Sequence, residues 1–234
     1  MGKVIMSGIV PPLVVPCPYD PVFANNTWAE IIAACQSNNI PETWEVGDQK
    51  AMTINGTDYL IDIIGKNHDD YADGSGKAPL TFQMHDCYGT EYYMKVTHST
   101  VGGWSKCDMR NTNLPKIMAL MPDEVQPFIK LVNKLSNAGN QSTTINTTSD
   151  KLFLLSEIEI FGTSKNSAEG EGEQYEYYKA GNSKIKKLNG SNRFWFSRSE
   201  RIGKSNCYCG VSEQGDSSFA MAANGYGPSF AFCF

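Results

Sequence analysis

The chain has 234 residues, 41% of them hydrophobic and 19% charged, which is enough apolar material for one large domain or two small ones and too little charge for a disordered polymer. Its formal net charge is −5, and its basic residues are scattered apart from Lys184-Ile185-Lys186-Lys187, so no basic stripe can track a phosphate backbone and nucleic acid is not expected as a partner. No run of about 18 to 20 apolar residues occurs, so no membrane insertion is expected.

The start, Met1-Gly2-Lys3-Val4-Ile5-Met6, makes a poor signal peptide, because its apolar run is broken by Pro11 and Pro12 and ends in Pro16 and Pro18. Residues 1–24 are too proline-dense for a helix and read as an extended N-terminal arm. An apolar arm gains by docking, so it is expected to mediate attachment, as a homo-oligomer contact or in virion assembly; the alternative is an edge strand of the same domain.

Asn26 or Thr27 can cap a helix over Trp28–Gln36 with Trp28, Ile31, Ile32 and Cys35 on one face. Two strand-like runs, 49–54 and 59–65, flank Asn55-Gly56, a strong hairpin signal. His68-Asp69-Asp70-Tyr71-Ala72-Asp73-Gly74-Ser75-Gly76 lacks the alternating acids and closing glutamate of an EF-hand, so it reads as an ordinary polar loop. Leu80–Met84 reads as a strand. Asn113-Leu114-Pro115 opens a short helix, and Met121-Pro122-Asp123-Glu124 opens a second, over which Val125, Phe128, Ile129, Val132 and Leu135 fall at helical spacing until Asn137-Ala138-Gly139 stops it. With no linker between hydrophobic blocks, the expected architecture is a single α+β domain over 25–234 preceded by the arm.

At the C-terminal end, Phe230, Phe232 and Phe234 alternate with small residues, as in a closing strand with one buried face, expected beside an early strand near Ile61. Between them and Phe194-Trp195-Phe196 lie stretches without period, such as Glu200–Asn206 and Gly215–Phe219. If Cys209 and Val211 point inward, Asn206, Tyr208, Gly210 and Ser212 point outward; if Ala220 and Ala222 point inward, Phe219, Met221, Ala223 and Gly225 point outward. With Glu200, Arg201, Lys204, Glu213 and Asp216 from the adjoining loops, this forms an apolar centre with a charged rim, the composition of a protein-binding patch. The competing assignment places Phe219 and Met221 in the core, one residue out of phase.

Seven cysteines at wide spacings fit neither a disulfide framework nor a four-ligand zinc site, so buried or free thiols are expected, with a single disulfide or a bound metal as the alternatives. No local motif pairs a nucleophile with a base, no cofactor is expected, and the chain reads as a binding protein without catalysis.

Leu154-Leu155-Ser156-Glu157-Ile158-Glu159-Ile160 resembles the Leu-Pro-Thr-Glu-Ala-Glu-Trp segment of the formylglycine-generating-enzyme family, and Phe194–Ser199 and Phe230–Phe232 occupy the places of that family's Arg-Gly-Gly-Ser and closing strands. A second resemblance covers about 25–234. It is to an uncharacterised domain family of gut bacteria and their prophages, carried by Trp44–Lys50, Ile63–Asp69, Leu152–Glu157, Arg198-Ser199 and Phe232-Cys233. Glu200 stands where that family has proline. These resemblances imply a C-type-lectin-like fold and a likeness to the variable proteins of diversity-generating retroelements, which display contact residues near the C-terminus. They imply a partner that is a protein or glycan receptor on a cell surface, and a location on a virion, at the phage tail or surface, or on the bacterial cell surface. The enzyme alternative is a metal-dependent oxidase of the formylglycine-generating type drawing on Cys207, Cys209 and Cys233; a purely structural virion protein is the third reading. The calcium-lectin tripeptides are missing, which leaves Trp195 or Tyr226 as platforms for a sugar.

Overall fold

The structure, a computed structural model, describes residues 18–234. Most of the expected arm, residues 1–17, lies outside the described residues; its last part does not stand free, since Phe23 is buried edge-on against Trp44.

Helix α1 (Trp28–Gln36) begins at Thr27, whose side chain accepts from the Glu30 N–H while the Glu30 carboxylate accepts from the Thr27 N–H. Such a reciprocal cap is worth about 1 kcal/mol. The expected face is buried, and Trp28 meets Phe82 and Phe234 edge-on. Strands β1 (Gln49–Ile54) and β2 (Thr57–Lys66) form the expected hairpin, with Asn55 and Gly56 both at positive φ (49° and 76°), the pairing a tight type I′ turn demands. β3 (Leu80–Met84) follows on the far side of β2.

Helix α2 (Leu114–Met118) appears as expected, but the second helix does not. Residues 126–128 form one 3-10 turn, and Val132–Asn137 is strand β4, paired with β5 (Ile145–Asp150). Pro127 explains the correction: it has no N–H for the helical ladder and clashes with the preceding turn, a cost of about 3 kcal/mol or more mid-helix. The stripe is accordingly split, with Val125, Ile129 and Val132 buried and Phe128 and Leu135 exposed.

Helix α3 (Glu157–Phe161) is capped by Ser156 with Glu159 in the same reciprocal arrangement, and α4 (Glu176–Lys179) follows. The hairpin β6 (Lys186–Leu188) and β7 (Ser191–Arg193) leads into β8 (Trp195–Glu200), β9 (Cys207–Val211) and β10 (Ser217–Met221), a sheet of order β10-β9-β8. The last strand, β11 (Ala231–Cys233), joins the first sheet in the order β1-β2-β3-β11. The closing strand therefore pairs with β3 and not beside Ile61 as expected. β2 already carries β1 and β3 on its two edges, so β11 adds at the far edge of β3, where Phe232 stands opposite Phe82 at 5.4 Å between rings. Helices and antiparallel sheets share one hydrophobic cluster reaching from Phe23 to Phe234, so the fold is α+β.

Candidate functional site

The C-terminal sheet is anchored by a buried charge network. Arg198 on β8 is fully buried; its guanidinium donates to both carboxylate oxygens of Glu159 (2.5 and 2.8 Å) and to the carbonyls of Leu135, Leu154 and Glu171. Lys134 on β4 sits 2.7 Å from the other side of Glu159 and 2.6 Å from Asp69, which also accepts from Thr81 and Tyr175. Burial pushes the Asp69 carboxyl up, but Lys134 and these hydrogen bonds outweigh it and hold it at about 2. The 68–76 segment thus turns its first acid into the core, as a structural loop does. The caps of α3 and β8 are joined by the same group, because Glu159 both caps Ser156 and pairs with Arg198.

On this base the register of the hairpin sets the faces. Residues opposite one another in an antiparallel pair share a face, and β10 places Phe219 opposite Cys209, Met221 opposite Cys207, and Ala220 opposite Tyr208. Tyr208 belongs to the core. Gly210 lies under the Phe194 ring, and a Cβ added there would stand 2.4 Å from both the ring and the Trp195 carbonyl. The opposite face carries Cys207, Cys209, Ser217, Phe219 and Met221. It is covered at one end, where Ser217 donates to Glu157 and accepts from Asn166, and open at the other, where Phe219 and Met221 are 37% and 44% exposed.

Three expected contact residues are therefore corrected. Tyr208 and Gly210 are buried because both faces of β9 are covered, and the register puts Phe219 and Met221 on the side of Cys209 and Cys207 instead of theirs. Glu200 is buried because its carboxylate takes the Thr100 hydroxyl and the Gln141 N–H; burial raises its pKa despite these bonds. Cys209, Val211, Ala222, Phe230 and Phe232 are buried as expected. Cys209 and Cys233 do not occupy neighbouring strands: Cys233 lies in the first sheet against Thr81. Trp195 is wholly buried and offers no face to a sugar, whereas Tyr226 is half-buried against Phe194 and Phe196.

The remaining expected residues fall into two groups at opposite ends of the hairpin. Ser212, Glu213 and Asp216 form the β9–β10 turn, beside the β6–β7 hairpin through an Asn192 bond to the Glu213 carbonyl. Arg201, Lys204, Asn206, Phe219, Met221 and Ala223 gather at the other end, where the Ala222 N–H donates to the Asn206 carbonyl; Gly225 lies beyond them, near Glu91. The Arg201 guanidinium lies 3.7 Å from the centre of the Phe219 ring, its Nε is buried without a hydrogen-bond partner, and among the described residues no carboxylate pairs with it. The segment 95–101 borders this end: the Lys95 N–H donates to the Ala222 carbonyl and the Thr100 N–H to that of Ser205, and Val96 and Val101 are both exposed. The sequence reading missed these two valines; their signal is apolar residues set singly in a polar stretch.

The geometry offers a mixed contact surface with two large apolar side chains beside a guanidinium that pairs with no carboxylate among the described residues. Among the described residues no group of three metal-ligating side chains converges.

A family model described as a domain of unknown function (DUF6273) matches residues 84–234. No curated protein and no solved structure matches the chain.

Proposed function

Because the chain belongs to the DUF6273 family, which carries no assigned activity, its function rests on what its surface can do, and we propose that it is a non-catalytic receptor-binding protein. In this reading the domain has a C-type-lectin-like fold and is encoded by a phage or prophage. It engages a protein or glycan on a cell surface through Arg201, Lys204, Asn206, Phe219 and Met221.

The observation that carries it is the pair Phe219 and Met221. An edge strand whose neighbour β9 is buried leaves two large apolar side chains partly exposed on one face, with a guanidinium laid on one of them. Burying such a pair against a partner is worth roughly 25 cal/mol per Å2 of apolar surface, and aromatic residues and arginine dominate interface energetics. The part of these side chains that the domain leaves exposed is a cost that contact with a partner removes.

The test is the binding of labelled protein to a panel of intact gut bacteria and to a glycan array. The protein should bind one or more members, and the double variant Phe219→Ser, Met221→Ser should lose that binding. Glu213→Lys with Asp216→Lys, at the far end of the hairpin, should retain it. Binding that survives the serine pair and disappears with the turn variant would place the contact surface elsewhere.

A further inference from the structure

The edge of β10 is as informative as its face. In the β9–β10 ladder, the Ser212 N–H donates to the Asp216 carbonyl and the Ala222 N–H to the Asn206 carbonyl. Hydrogen-bonded pairs recur every second residue, so Ser218 and Ala220 direct their main-chain groups toward β9. Ser217, Phe219 and Met221 direct theirs away from the sheet. β10 is the outer strand of its sheet, and among the described residues neither the N–H nor the carbonyl of Phe219 has a partner.

Exposed edges in monomeric proteins are normally blunted by charge, proline or a bulge. Ser217-Ser218-Phe219-Ala220-Met221 has no charge and no proline, and its register with β9 is continuous. The same residue, Phe219, thus offers free main-chain groups in the plane of the sheet and an exposed ring perpendicular to it.

We propose that β10 is a docking edge for an extended, acidic segment of a partner protein, which adds as a fourth strand beyond β10. This rests on the receptor-binding reading and narrows its partner to polypeptide. Acidity follows from Arg201, whose guanidinium reaches Phe219 with no carboxylate of its own, and from Lys204, exposed on the same loop. A carboxylate on the incoming strand satisfies the guanidinium with charge-assisted bonds while its backbone takes the free groups of Phe219. A second copy of this chain fits worse: two-fold pairing centred on Phe219 would bring two Arg201 guanidinium groups together.

The experiment selects linear peptides from a displayed random library on the intact protein, then follows amide hydrogen exchange with a synthetic selected peptide. Selected sequences should carry Asp or Glu. Peptide binding should slow exchange at Phe219 and Met221 by about tenfold or more, leaving Ser218 and Ala220, already bonded to β9, unchanged. Arg201→Ala should weaken binding by about tenfold or more. Selected peptides that bind, lose binding with Phe219→Ser, yet leave the Phe219 amide unprotected would overturn strand addition and leave the surface reading standing. A library that yields no binder at β10 overturns strand addition too, and cell binding lost in the serine pair would then still support the surface. Protection of the Phe219 amide in the free protein, with a doubled mass in solution, would assign the edge to a second copy and overturn the acidic partner.

Discussion

At Arg198 the guanidinium bonds five acceptors, so the residue joins β8 to β4, to the strand-like run before α3, and to the segment at Glu171. Removing one partner of a buried pair leaves the other charged and dry, which costs about 3–5 kcal/mol. Arg198→Met should therefore lower the urea-unfolding free energy by about that amount. Arg198-Ser199 stands out in the sequence as part of a resemblance, but its use does not: nothing in a linear sequence states that Glu159, 39 residues earlier, is its counter-ion.

Glu171 behaves in the opposite sense to Asp69. Burial pushes its carboxyl up to about 7, even though the Asn137 N–H bonds to it, and its Oε2 has no partner. A carboxyl raised in the folded state holds its proton more tightly there than in the unfolded chain. Its contribution to stability is full below about 4.5 and is lost as the pH rises through about 7. Glu171→Gln should flatten the dependence of melting temperature on pH between 5 and 8, raising it most at the alkaline end; an unchanged slope would show that another group is responsible. Asp69, held at about 2, contributes above its ordinary value of 3.8 and loses that contribution as the pH falls toward 2.

At the scale of the element, the legible parts are those where a local rule is decisive. Thr27 with Glu30 marks the start of α1, and Asn55-Gly56 marks the hairpin, because each needs only neighbours in sequence. The segment 121–137 misleads because apolar spacing fits a helix while Pro127 breaks it and Val132–Asn137 finds a partner in β5, whose Ile145 pairs with Asn137. The phase of β9 misleads for a different reason. All five of its residues are buried, so alternation carries no signal, and the decisive fact is the Phe194 ring lying over Gly210. β10 keeps one open face, and there the outward direction of Phe219 and Met221 was readable. Replacing both with serine should move the melting temperature by no more than about 4 °C, the size expected for two surface changes in a chain of this length. Gly210→Ala should instead destabilise strongly, since both the Phe194 ring and the Trp195 carbonyl must give way.

At the scale of the whole molecule, one hydrophobic cluster ties α1, the first sheet and the C-terminal sheet together, with β11 closing against β3. In the proposed reading that closure holds a late segment of the chain as a rigid surface: Phe230 and Phe232 are buried in the core while Phe219, Met221 and much of the loop before β9 are exposed. The alternating phenylalanines announced a closing strand, but which strand it meets depends on edges already occupied, which the sequence does not record. The most direct test of the proposed surface is a saturation scan of residues 194–234, scored separately for folded protein and for binding to whichever cell or selected peptide the native chain is found to bind. The account predicts that positions 201, 204, 206, 219 and 221 tolerate substitution for folding and lose binding, whereas 208, 210, 211, 222, 230 and 232 lose folding. Loss of folding at 219 and 221, or binding loss confined to the turn at 212–216, would contradict it.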